Sequence, residues 1–122
     1  MDREGVADLF VQFGPVSVRR MFGGAGIWAD GTMFGLLVDG VIYLKADAAI
    51  MADFEREQMR PFVYATKSGS RSLRSYWRMP DRLYDDPEAL ADWARRSLAA
   101  AQRAAVSRRR PAVTRRGNRP TR

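Results

Sequence analysis

The side chains that most often do chemistry are scarce in this 122-residue sequence. It contains no histidine and no cysteine. The commonest general base and the thiol nucleophile are therefore missing, as are cysteine-ligated zinc and iron–sulfur sites. Asp81, Asp85 and Asp86 cluster ahead of a helix, and carboxylates so grouped can hold a hard cation. They lack the ligand spacing of a calcium loop, and Asp86 has a competing role as a helix cap. Gly23-Gly24-Ala25-Gly26 is a candidate phosphate cradle. It lacks the Gly-x-Gly-x-x-Gly spacing, has no following Lys-Ser/Thr pair, and leads into a strand instead of a helix, so it reads as a turn or bulge. Arg74, Tyr76 and Arg78 fall at strand spacing. Cations interleaved with an aromatic can bind single-stranded nucleic acid, and an amphipathic edge strand gives the same pattern. No metal or cofactor is expected, and the chain reads as a non-enzyme. The competing class, an enzyme, would need a deep pocket lined by convergent polar groups.

The most assertive chemistry lies at the C-terminus. Residues 1–105 hold 14 Lys/Arg and 14 Asp/Glu, whereas residues 106–122 hold seven arginines and no acid. The net charge of +7 therefore belongs to the tail alone. Arg108, Arg109, Arg110, Arg115, Arg116, Arg119 and Arg122 would attract phosphates by counterion release, with little sequence preference. A solubilising extension is the other reading. With two prolines and little to bury, residues 106–122 are expected to be disordered, beside a single folded domain over 1–105.

The elements of that domain follow from periodicity. Val6, Leu9, Phe10 and Phe13 predict a helix over 2–12, stopped by Gly14-Pro15. Residues 16–22 alternate as a strand, which would send Arg19 and Arg20 to opposite faces with at least one partly buried. Asp30-Gly31 and Asp39-Gly40 are two-residue hairpin signals, because type I′ turns need positive φ at both central residues. They predict antiparallel strands over 26–29, 32–38 and 41–46. The implied register sets Ile27 against Phe34, Leu36 against Tyr43 and Val38 against Val41 on one face. It sets Trp28 against Met33, Leu37 against Ile42 and Gly35 against Leu44 on the other. Both faces are apolar and both need cover, from the chain's own helices or from a partner.

Asp47 is placed to cap a second helix over 48–58. A short strand over 62–64, a polar loop over 67–72 and a last strand over 73–79 follow. Asp86-Pro87-Glu88 opens a final helix, whose apolar stripe runs from Leu90 to about residue 105. The expected fold is α+β: an antiparallel sheet of consecutive hairpins with flanking helices, in the order helix, strands, helix, two strands, helix. No apolar run approaches the roughly 18 residues of a membrane helix. The start of the chain does not read as a secretory signal, so a cytoplasmic setting is expected.

Specific motifs join these elements. Arg19-Arg20-Met21-Phe22-Gly23-Gly24-Ala25-Gly26 is followed by Met33-Phe34, Leu44-Lys45-Ala46-Asp47, Pro61-Phe62-Val63-Tyr64 and Tyr76-Trp77-Arg78-Met79-Pro80. The ordered set resembles the N-terminal domain of the TfoX/Sxy competence regulators over about residues 5–100. The resemblance implies a secretion-chaperone-like α+β domain and a link to competence or transcription control. It also implies a protein partner, a transcription factor in the family. The two-domain regulators carry a helical C-terminal domain where this chain has its Arg-rich tail. On this reading Arg19, Arg20, Met21, Phe22, Gly23 and Gly24 form a candidate partner-binding segment. A regulatory or adaptor module working through protein contacts is the expected function, with homodimerisation as a further expectation. Nonspecific nucleic-acid binding by the tail is the alternative.

Overall fold

The computed structural model describes residues 1–21 and 23–109. The chain runs α1 (Arg3–Leu9), β1 (Ser17–Met21), β2 (Gly24–Ala29), β3 (Thr32–Val38), β4 (Val41–Lys45), α2 (Ala48–Arg56), β5 (Pro61–Thr66) and β6 (Gly69–Arg78). A 3₁₀ turn at Asp81–Asp85 and α3 (Pro87–Arg109) complete it. The strands form one antiparallel sheet in the order β1-β2-β3-β4-β6-β5. This is the α+β meander with flanking helices that the sequence predicts.

Local chemistry explains each boundary. The Asp2 carboxylate accepts from Gly5 N–H at 2.8 Å to start α1. The Asp47 carboxylate accepts from Ala49 N–H at 3.1 Å to start α2, and the Asp86 carboxylate accepts from Ala89 N–H at 3.2 Å to start α3. Each satisfies a donor that the first helical turn leaves open. Asp30 and Asp39 adopt φ of 50° and 51°, and the glycines after them 73° and 76°. Both turns are thus of the tight hairpin kind that Asp-Gly favours.

Two registers differ from expectation. Trp28 pairs with Met33 as predicted, but Ile27 pairs with Gly35, leaving Phe34 as a bulged residue. The bulge turns Ile27 and Phe34 to the same face as Leu37, Ile42 and Leu44, where all five are buried. A period of two cannot reveal this, because a bulge lets consecutive residues share one face. The second difference lies in β6, which begins at Gly69, so most of the predicted polar loop is strand and the true loop is Lys67-Ser68. A further irregularity in the β5–β6 pairing takes the register from Pro61–Trp77 to Phe62–Leu73. The predicted alternation of Arg74 and Tyr76 on one face is lost there.

The three α-helices among the described residues cover one face of the sheet. Val6 from α1 and Phe10 just after it, Ile50 and Phe54 from α2, and Leu90 and Ala94 from α3 share one core with the five sheet residues above. Phe10 and Phe34 meet edge to face at 5.6 Å between ring centres. Phe54 lies against Trp93 at 4.9 Å and Trp77 at 6.0 Å. Aromatic contacts of this kind add to the area term that dominates a core. The last helix continues past residue 105 to Arg109. Among the described residues no helix is long and apolar enough to cross a membrane.

Candidate functional site

Among the described residues no helix lies over the other face of the sheet. That face forms an apolar groove of about 680 Å³, within the usual range of binding clefts. Leu36 and Val38 from β3, with Val41 and Tyr43 from β4, run along its centre. Met21, Gly23 and Gly24 close one end; Phe62 and Tyr64 of β5, with Leu73 and Tyr76 of β6, form the opposite wall. Tyr43 meets Phe62 edge to face at 4.8 Å, and Phe62 stacks with Tyr64 at 6.1 Å. The wall is thus an aromatic ladder, and among the described residues Asp39 is the one charged residue in the lining. Leu36 and Tyr76 are nearly buried, whereas Tyr64 is 41% exposed and Val63 53% exposed. The groove is open towards its β5 side.

Two glycines let the groove close at its β2 end. A Cβ on Gly24 would sit 2.4 Å from the Leu37 carbonyl oxygen, so the backbones approach too closely for any side chain. A Cβ on Gly26 would meet the sulfurs of Met33 and Met21 at 2.6 and 2.8 Å and Trp28 Nε1 at 2.9 Å. The glycine run therefore serves packing at a turn, consistent with the turn-or-bulge reading of its sequence.

The candidate partner-binding segment divides. Met21, Gly23 and Gly24 line the groove. Arg19 stands over the Trp28 ring at 4.4 Å, a cation–π contact. The Trp28 indole N–H is buried without a hydrogen-bond partner among the described residues. Arg20 turns to the opposite side, beside Asp2, Arg3 and Val18. Neither arginine is buried, contrary to the expectation for at least one of them; a strand at the sheet edge leaves long side chains room to reach water. Phe22 lies outside the described residues.

The remaining groupings separate as well. Arg74 lies 5.7 Å from the Trp77 ring centre and Arg78 reaches Asp81 at 3.4 Å, whereas Tyr76 lines the groove. Asp86 is occupied in capping, and among the described residues no cluster of three or more acidic, His or Cys side chains is placed to hold a metal. Arg108 and Arg109 fall on the last turn of α3. Arg110, Arg115, Arg116, Arg119 and Arg122 lie outside the described residues.

Most of the groove lies outside the residues that the sequence marks as a site, although the strand alternation predicts an apolar face there. The signal for the far wall was present in Phe62 and Tyr64, two apart on a strand, but their pairing with a longer β6 was hidden. In comparison with known proteins, a family model described as the TfoX N-terminal domain matches residues 8–101. No curated protein matches the chain.

Proposed function

The chain belongs to the TfoX N-terminal domain family, and from that premise we propose that it is a regulatory or adaptor module, acting in the cytoplasm through protein contacts of its open sheet face. Control of competence or transcription is the setting the family suggests, with a transcription factor as the partner. One observation carries the reading: an apolar groove left uncovered by all three helices, since large exposed apolar patches mark interaction sites. Its lining offers one carboxylate and tyrosine hydroxyls, which supports binding over catalysis.

A photo-crosslinking residue at Leu73, in the groove, should capture a defined protein partner in host cells. The same residue at Gln102, on the outer part of α3, should not. Val41→Glu should abolish both the capture and any change in transcript levels that expression of the protein causes. Equal capture from Gln102, or capture that survives Val41→Glu in a folded variant, would overturn the reading.

The concentration of all net charge beyond residue 105 favours a second reading, nonspecific nucleic-acid binding by the tail. DNA affinity should fall steeply with salt for the full chain and largely vanish on removal of residues 106–122. Affinity that survives the truncation would exclude it.

A further inference from the structure

The two edges of the sheet are unlike. At one edge β1 carries Arg19 and Arg20, both exposed. Antiparallel self-pairing centred on either residue would set a cation against its own copy, which disfavours association. At the other edge β5 reads Pro61-Phe62-Val63-Tyr64-Ala65-Thr66, with no charge, and Val63, Tyr64 and Ala65 are exposed. Its outer side has no strand beside it among the described residues. An uncharged, exposed and apolar edge is a template for pairing with another chain.

The backbone sets the register of such pairing. Thr66 and Gly69 flank the two-residue loop and pair with each other, as the hydrogen-bonded pair that closes a hairpin. By alternation Tyr64 and Phe62 bond β6, and Val63 and Ala65 turn their N–H and C=O groups outward. An antiparallel copy centred on Tyr64 then brings Val63 opposite Ala65 in both directions, so all four outward groups on each chain find partners. Tyr64 lies opposite itself, Phe62 opposite Thr66, and Pro61 opposite Lys67, so no charge meets a like charge.

We propose that β5 is a homodimerisation edge, joining two copies about a two-fold axis through Tyr64 into one continuous sheet of twelve strands, six from each copy. The two Tyr64 rings meet on the groove side, each backed by its own Phe62, so the two grooves run together across the axis. This pairing stands independently of what the groove binds. A single edge contact is a small interface, and such interfaces are weak; dimerisation is expected on the order of micromolar concentrations or above.

Sedimentation equilibrium of the full chain should show a concentration-dependent monomer–dimer equilibrium. Tyr64→Lys and Tyr64→Glu each place like charges opposite and should weaken self-association about tenfold or more. An equimolar mixture of the two should restore a dimer. The amides of Val63 and Ala65 in the wild-type chain should exchange more slowly as concentration rises, which tests the edge without any substitution. A wild type that stays monomeric at millimolar concentration would overturn the proposal. So would folded charge variants that associate as tightly as wild type, a mixture that stays monomeric, or amide exchange independent of concentration.

Discussion

Asp47 and Arg103 tie the start of α2 to α3 through a single carboxylate. Arg103 Nε donates to Asp47 Oδ2 at 2.8 Å, while Oδ1 accepts from Ala49 N–H at 3.1 Å. The hydrogen bond from Arg103 holds the Asp47 carboxyl below its usual 3.8, against the opposing effect of burial. Its contribution to stability is therefore complete above that ordinary value and is lost as pH falls through the lower folded one. Asp47→Ala should cost about 0.5–2 kcal/mol at neutral pH, the range of a lost cap. It should also flatten the acid limb of stability, as measured by urea unfolding at several pH values.

Tyr84 closes the sheet where β6 departs. Its hydroxyl accepts from the Ile42 backbone N–H at 3.0 Å, and the Ile42 carbonyl accepts from Met79 N–H at 2.9 Å. Burial pushes the Tyr84 hydroxyl above its usual 10.0. The stabilisation is therefore present below that value and is lost as pH rises through the folded one. Tyr84→Phe should cost about 1 kcal/mol near neutrality and remove that part of the alkaline loss, which chemical denaturation from pH 8 to 11 would read.

Gly24 marks the closest backbone approach at the groove. Gly24→Ala forces β2 and β3 apart, since the new Cβ meets a carbonyl oxygen and not a flexible chain end. A loss of about 1–3 kcal/mol, the usual cost of overpacking, is expected in thermal or urea unfolding. An unchanged midpoint would show that the strands separate freely there.

Ser97 is fully buried in α3, and its hydroxyl has no partner among the described residues. Ser97→Ala removes an unsatisfied polar atom and improves helix propensity, so stability should rise by about 1 kcal/mol. A destabilised variant would reveal a hydrogen bond to the hydroxyl.

The meander was legible because its determinants are local: Asp-Gly turns fix φ, and Asp47 and Asp86 start helices within a few residues of themselves. The bulge at Phe34 was not, since the alternation around it fits an unbroken ladder equally well. The choice of face was hidden for the same reason. Apolar residues on both sides show that cover is needed, but only the packing of Phe10, Phe54 and Leu90 decides which side receives it. The groove wall depends on β5 and β6 crossing from beyond α2 to pair with β4, a long-range contact with no local signature. The serine- and arginine-rich start of β6 resembles a loop because both of its faces meet water.

The strand order also sets a sequence of events in time. β2 to β4 are joined by tight turns with β1 paired beside them, and β5 with β6 forms a separate hairpin. Each half is built from contacts close in the chain, which form fast. The seam between them, where Leu44 meets Trp77 and Lys45 meets Tyr76, closes a much longer loop. Folding should therefore be limited by docking the second hairpin onto the first meander, with the contact of Tyr84 to Ile42 absent from the rate-limiting barrier. On that account Tyr84→Phe accelerates unfolding and leaves the refolding rate nearly untouched.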